Sequence, residues 1–448
     1  MGKNKNILQG DKVIWMVVLL LGVISLLAVY SATSSEAHVK IGAYNEKVLL
    51  KHAGTLLAGY VAMFIASRHN YRHFSRGIEL IMLVGIVLLT FTLIFGSRIN
   101  GANRTFMGFQ TSEAVKIILI VYLAKYIVVL NNKIQNGEDY SFKEIFVPVV
   151  LPIFFAVGLI FPENLSTAAM LFVVSLVMLF IGQFKFKYIL LIVAIAIAGA
   201  SMYILSNKVV ADYRQKRYAE VVELALQHPE DAKLQEKASK KPRVSRVETW
   251  KRRFGIGAED ELEEGQTEGK TVQAKQEKDK LYIDDHNAQK IYAKIAIARG
   301  GLVGKGSGKS TQRNFLPQPF SDCIYAIIIE EYGIIGGVFV MLLYIILLTR
   351  AVKIMKDRTL SFGALMAFGI TFILFVQAMI NMGVSTGFLP VTGQQLPFIS
   401  RGGSAMLVTG WAFGMIISVT RDMNKDTEKT IETNEEINLV EEQNTTAE

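Results

Sequence analysis

A glycine-rich basic segment, Gly304–Thr311, leads through FLPQPFSD to Asp322 at the lip of a long apolar run, and Glu330 and Glu331 lie inside that run. A carboxylate at the edge of hydrocarbon, or within it, is costly unless it has a task or a partner. Three acids and a polar glycine loop at such a boundary suggest a site that handles a polar group carried on a lipid. Asp322 has three readings. As a hydrated carboxylate it could accept a proton, or hold a divalent cation such as Mg²⁺; as an aspartate just before a helix it could cap that helix. Spacing alone favours the cap. Glu330 and Glu331 are neighbours in sequence, so they are expected to face different ways, with Gln377 and Asn381 of a later apolar run available as partners.

The glycine loop is not a nucleotide-binding loop. A Walker pattern needs glycine five residues before the glycine of its GK pair; Gly308-Lys309 would require it at 303, where Val303 stands. The loop could instead bring backbone N–H groups to a lipid-linked phosphate, or be a turn that re-enters the membrane. Arg104 and Arg401 lie close to apolar runs, on what the charge pattern makes the outer side, and the arginine fork matches phosphate oxygens. Taken singly, each is as well read as an interfacial anchor. With Lys305, Lys309 and Arg313 on the same side they outline a candidate anion site. Glu113 and Lys116 are three apart at the head of another apolar run, so they share a helix face and can pair. An ion pair there faces the bundle interior, as a brace or as a ligand contact.

The elements that must carry these residues are membrane helices. Hydrophobic residues make up 51% of the 448. Runs of roughly 17–25 apolar residues match a hydrocarbon core of about 30 Å. They fall near 13–32, 47–66, 78–96, 114–130, 145–161, 166–182, 187–205, 323–349, 360–382 and 403–420. Backbone polar groups must be satisfied within the segment in lipid, so the expected fold is all-α and polytopic, with ten helices. Lys and Arg cluster at alternate ends of these runs, for example Arg68, Arg72 and Arg76, or Arg350, Lys353, Lys356 and Arg358. By the positive-inside rule both termini are cytoplasmic. The expected organisation is a cytoplasmic N-terminus at 1–12, helices 1–7 over 13–205, an extracytoplasmic loop at 206–322, helices 8–10 over 323–420, and a cytoplasmic tail at 421–448. The first run reads as an uncleaved anchor. Tyr213–Lys241 is charged and helix-prone, whereas Ala258–Lys280 and the acidic tail read as flexible. The net charge of +9 follows the sidedness, and no basic stripe interleaved with aromatics marks a nucleic-acid surface. The single cysteine, Cys323, excludes an intramolecular disulfide.

Several motifs then resemble one family. FLPQPFSDCIYAIIIEEYGIIGG, GFLPVTGQQLPFISRGGSAML, FQTSEAVKIILIVYLAKYI and ARGGLVGKGSGKS are similar to the signatures of the SEDS proteins (shape, elongation, division, sporulation), with Gln289 at a matching glutamine and Arg243 and Arg246 at the family's paired arginines. The resemblance covers about residues 10–422, and its flanking pieces are closer to the division (FtsW-like) branch than to the elongation (RodA-like) branch. It implies a peptidoglycan glycosyltransferase that polymerises lipid II on the outer face of the bacterial cytoplasmic membrane, at the division septum. The implied partners are a class B penicillin-binding protein, other division proteins and membrane lipids, with no nucleic acid. It implies that Asp322 is the catalytic carboxylate, with Mg²⁺ as a candidate cofactor. Arg104, Arg401, Lys305, Lys309 and Gln289 become candidate substrate contacts, and Glu113, Lys116, Glu330, Glu331, Gln377 and Asn381 candidate cavity residues. The chain departs from the family pattern at Thr111, Glu163, Ser166, Tyr292 and Arg401, and its 206–286 segment is long. Two rival functions fit the same residues: a lipid II flippase, which would use the buried polar side chains, and a noncatalytic scaffold for a penicillin-binding protein, which would need neither those nor Asp322.

Overall fold

In the computed structural model the described residues are 8–34, 42–99, 102–138, 141–229, 231–239, 247–248, 250, 288–317, 319–356 and 360–423. Arg243, Arg246, the 258–280 tract and the acidic tail from 424 lie outside them. The described residues form two compact units, one within 1–184 and 289–448 and one within 185–288.

The first unit is built from α1 (Lys12–Thr33), α2 (Gly42–Arg68), α3 (Ile78–Phe95), α4 (Thr111–Gln135), α5 (Phe142–Ile160), α6 (Leu165–Ile181), α9 (Ala288–Gly300), α10 (Ile324–Lys356), α11 (Phe362–Ser385) and α12 (Gly403–Met423). The second holds α7 (Phe186–Gln227) and α8 (Ala232–Ser239). Among the described residues eight helices are long and apolar enough to cross a membrane; α6 is a shorter apolar helix, and α4 carries Glu113, Lys116, Lys125 and Lys133. These ten correspond to the ten expected spans. The one sheet described is a hairpin, β1 (Ser97–Ile99) against β2 (Ala102–Thr105), which the apolar pattern had not signalled.

Local chemistry sets the helix ends. Asp11 accepts from Val13 N at 2.8 Å, Asn164 from Thr167 N at 3.2 Å and Ser361 from Ala364 N at 3.4 Å, each satisfying a donor that the first turn leaves open. In α5, Pro148 cannot donate to the helical ladder, and the backbone widens into a π-turn over Phe146–Val150. α11 forms the centre of the first unit, packing against α10, α4 and α6. It is buried continuously from Gly363 to Thr371, as expected of a helix apolar on all sides. Gly369 lets Ile120 and Met178 come close; a Cβ there would lie 2.7 Å from both.

The 42 residues of α7 run unbroken past the apolar part at 187–205, over about 63 Å at 1.5 Å per residue, twice a hydrocarbon core. The helix-prone start of the long loop is thus a continuation of the span. α8 folds back on it, with Gln235 Nε2 donating to Ala225 O at 2.7 Å and Tyr218 OH to Ala238 O at 2.8 Å.

Candidate active site

Asp322 lies in the turn before α10 and is half-buried. The helix-cap position falls on Cys323, whose carbonyl accepts from Ala326 N and Ile327 N. The Asp322 carboxylate instead receives the Ser321 hydroxyl on Oδ1 at 2.9 Å. Its backbone is gripped from three places: Asn381 Nδ2 donates to Asp322 O at 3.0 Å, Ser400 Oγ to Ser321 O at 2.7 Å, and Arg401 N to Phe320 O at 2.9 Å. The Arg401 guanidinium lies 4.9 Å from the centre of the Phe320 ring, a cation–π distance, so Arg401 and Asp322 belong to one cluster. Gln289, on α9, donates to Cys323 Sγ at 3.1 Å, and α9 packs Ala293 and Ala296 on Cys323, Ala326 and Ile327. Arg104 lies in β2; its side chain is outside the described part of the structure.

A buried polar chain runs behind Asp322. Glu113 and Lys116 pair at 2.8 Å, and Lys116, 2% exposed, also donates to Gln377 Oε1 at 2.8 Å. Gln377 donates to Gln395 O at 3.0 Å, Asn381 to Gln394 O at 2.7 Å, and Gln394 to Thr167 Oγ1 at 2.6 Å. The chain therefore links α4, α11, the 394–401 segment and α6, with each link pairing one side chain to another or to a carbonyl.

Glu330 and Glu331 differ from expectation. Neither meets Gln377 or Asn381 in a hydrogen bond; both turn to the glycine loop. Glu330 is fully buried and accepts from Lys305 Nζ at 2.6 Å, Ser310 Oγ at 2.6 Å, Thr311 Oγ1 at 2.9 Å, Thr311 N at 3.1 Å and Gln312 N at 3.2 Å. Glu331 Oε1 accepts from Ser310 N at 3.1 Å and from the Ser31 hydroxyl of α1. Arg313 adds bonds to Ser31 O at 3.1 Å and Gly308 O at 3.0 Å.

The cause is a break in α10. Gly333 has φ 70° and ψ −175°, a region essentially reserved for glycine. In a regular helix Ile334 N and Ile335 N would donate to Glu330 O and Glu331 O. Here they donate to Gly301 O at 2.9 Å and Leu302 O at 3.3 Å, while Lys305 N and Gly306 N donate to Glu330 O at 3.0 Å and Glu331 O at 2.9 Å. The loop and the break thus satisfy each other's backbone groups. Glu331 is seven residues into α10, about 10 Å along its axis. Irregular backbone at such depth is tolerated where protein satisfies it. The N–H groups of Lys305, Gly306, Ser310 and Thr311, which could have cradled an external phosphate, and the Lys305 charge are spent on the two glutamates; Lys309 is exposed. Sequence reasoning missed Ser31, Ser310, Thr311, Ser400 and Gln394. Glu331 is 300 residues from Ser31, and no spacing rule reaches that far.

No group of three or more His, Cys, Asp or Glu residues able to hold a metal ion occurs among the described residues.

A helical membrane bundle whose half-buried aspartate is held between a broken helix and a polar network defines the class, and comparison with known proteins supplies the family. The family profile described as cell cycle protein, carrying the names FtsW, RodA and SpoVE, matches residues 11–238 and 275–425. The chain belongs to this family and is an integral membrane protein. It is 29% identical to stage V sporulation protein E of Bacillus subtilis, over 92% of this chain and 97% of that protein. It is 30% identical to the probable peptidoglycan glycosyltransferase FtsW of Geobacter metallireducens, over 94% and 96%. With the peptidoglycan glycosyltransferase MrdB of Escherichia coli it shares 28%, over 91% and 93%. The fold is shared with a chain of a structure on the coordination of polymerization and crosslinking by a peptidoglycan synthase complex, at a TM-score of 0.58 and 19% identity, covering 92% of this chain and 98% of that one. It is shared too with the rod shape determining protein RodA of Thermus thermophilus, at 0.56 and 18%, covering 92% and 97%.

Proposed function

We propose that this chain is a peptidoglycan glycosyltransferase that polymerises lipid II on the outer face of the cytoplasmic membrane, for septal wall synthesis alongside a class B penicillin-binding protein. The observation that carries the reading is Asp322, half-buried, with its own carbonyl and those of the two residues before it each held by a separate hydrogen bond. The names of the relatives support the reaction class. In this reading both termini are cytoplasmic and 206–322 is extracytoplasmic.

Chain growth requires a sugar hydroxyl to attack the anomeric carbon of a second lipid-linked sugar. The new C–O bond forms as the bond to pyrophosphate breaks, and the hydroxyl proton needs an acceptor. Asp322 is that base. Negative charge grows on the leaving pyrophosphate, and Arg401, Arg104 and Lys309 are the cations to meet it. Lys305, bound to Glu330, and Gln289, bound to Cys323, act on the substrate through the loop and α9 that they hold. A single carboxylate is no cage for Mg²⁺; were such an ion bound, Asp322 would be the residue to hold it, and it would supply charge neutralisation for the leaving group. The closed Glu113–Lys116–Gln377 chain supports a brace rather than the open polar cavity a flippase needs.

Polymerisation of labelled lipid II by the purified chain with its penicillin-binding protein is the test. Asp322→Asn keeps size and removes basicity; turnover is expected to fall by about 10²–10⁴, the range for loss of a general base, at unchanged protein level. Wild-type rates from that variant would leave the polymerase reading without its base.

A further inference from the structure

The 394–401 segment carries the hydrogen bonds that grip Phe320 and Ser321, and it is itself anchored at four carbonyls. Gln394 O accepts from Asn381, Gln395 O from Gln377, Pro397 O from the buried Tyr344 hydroxyl at 2.5 Å, and Ile399 O from Ser25 Oγ at 2.8 Å. Between the last two anchors Phe398 takes φ 62°, a left-handed conformation costly for a bulky residue. Such strain persists where the surroundings over-determine it. Rings of Tyr60 and Phe413 meet the Phe398 ring edge-on at 5.3 and 5.6 Å.

The Ser25 anchor is the one next to Ser400 and Arg401, and it depends on a second residue. His52 Nε2 lies 2.9 Å from Ser25 Oγ, and His52 is 1% exposed. Ser25 has one hydroxyl proton, directed at Ile399 O. It must therefore accept from His52, which assigns the proton to Nε2. The other ring nitrogen, Nδ1, is buried without a partner, so the neutral Nε2–H form is the one this site accommodates. With the proton on Nδ1, Nε2 would compete with Ile399 O for the single serine proton.

We propose that His52 is a positioning residue for Asp322. By donating to Ser25 it keeps the serine proton on Ile399 O, holds the strained turn at Phe398, and so fixes the Ser400 and Arg401 grip beside the carboxylate. The inference rests on the polymerase reading for its effect on turnover, but not for its effect on the loop.

The test compares His52→Leu, His52→Gln and Ser25→Ala in the full chain purified with its penicillin-binding protein, by lipid II turnover and by amide hydrogen exchange of the peptide covering 393–402. Leu396 N, bonded to Ser400 Oγ at 2.8 Å, and Arg401 N, bonded to Phe320 O, report the grip directly. Loss of one buried anchor is expected to speed their exchange and lower kcat by about tenfold each, with KM nearly unchanged. Glutamine presents an N–H donor and should restore both; Ser25→Ala should behave as His52→Leu with little change in volume. Slowed turnover without faster exchange, faster exchange without slowed turnover, or failure of glutamine to restore a folded variant each overturns the proposal. If the wild-type chain does not polymerise lipid II, the function assigned above fails, and exchange alone decides whether His52 anchors the loop.

Discussion

Gly333→Ala is the sharpest perturbation of this architecture. A Cβ at residue 333 would stand 2.1 Å from Leu302 O, and the backbone angles there are almost closed to other residues. The protein has two ways to respond. It can keep the break, paying about 1–3 kcal/mol of backbone strain plus a shift of the loop to relieve the overlap. Or α10 can straighten, regaining two helical bonds but losing the four backbone bonds to residues 301–306 and the donors on Glu330. The second route leaves a buried carboxylate unpaired, worth about 3–5 kcal/mol. The first is cheaper, and its sum is about 2–4 kcal/mol against the docked loop, or roughly 30- to 1000-fold in the loop's docking equilibrium. Hydrogen exchange at Lys305, Gly306, Ile334 and Ile335 should accelerate by that factor where local opening controls it. Gly54→Ala is the control: nothing lies within 4 Å of its Cβ, so exchange should stay as in the wild type. Unchanged protection of the four amides in Gly333→Ala would refute the mutual-satisfaction argument.

Three further outcomes are expected. A cysteine introduced at Gly265, with Cys323 replaced beforehand, should react with a membrane-impermeant thiol reagent in intact cells; protection until the membrane is opened reverses the sidedness drawn from Lys and Arg. Lys116→Met should destabilise the chain by about 3–5 kcal/mol in thermal unfolding, because it strands the Glu113 carboxylate, and adding Glu113→Gln should recover part of that loss; strictly additive effects would show that the pair is not coupled. Arg401→Lys and Arg104→Lys should each lower lipid II turnover more than protein level, with the double variant lower still, since a lysine cannot reproduce the planar fork; full turnover in all three makes these residues interfacial anchors.

The spans were legible because lipid leaves the chain little freedom: apolar length and Lys/Arg placement carry the signal, and α7 exceeded its expected end by far the most, where charged residues continue the helical ladder instead of breaking it. Asp322 stood out as an acid at a boundary, and its weight came from the resemblance of FLPQPFSD to a known motif rather than from spacing. What the sequence concealed was the pairing of the glycine loop with the interior of α10. Adjacent glutamates in a regular helix point about 100° apart, and that geometry put Glu330 and Glu331 on different faces. Gly333 ends the regular ladder two residues later, and the loop wraps far enough around α10 for Ser310 to reach both acids through different atoms. A lone glycine in an apolar run is a weak sign of a break; two consecutive acids beside it, with no basic residue one helical turn away, was the stronger sign.

That arrangement also explains why a membrane bundle tolerates so many polar groups around one carboxylate. The break in α10 exposes four backbone groups, and a basic, glycine-rich loop of this chain occupies them, bringing α9 down beside Cys323. On the other side, the 394–401 segment is hung from side chains of α1, α10 and α11 and grips the residues leading into Asp322. Neither support lies in a regular helix, so each can hold backbone where a helix would have hidden it. Asp322 is thereby fixed at both its neighbours, by Gln289 on Cys323 and by Ser400 on Ser321, while its carboxylate stays half-buried. The base proposed at Asp322, placed to within hydrogen-bonding tolerance yet still reachable by a hydroxyl, would require both conditions, and irregular backbone pinned by buried polar side chains supplies them.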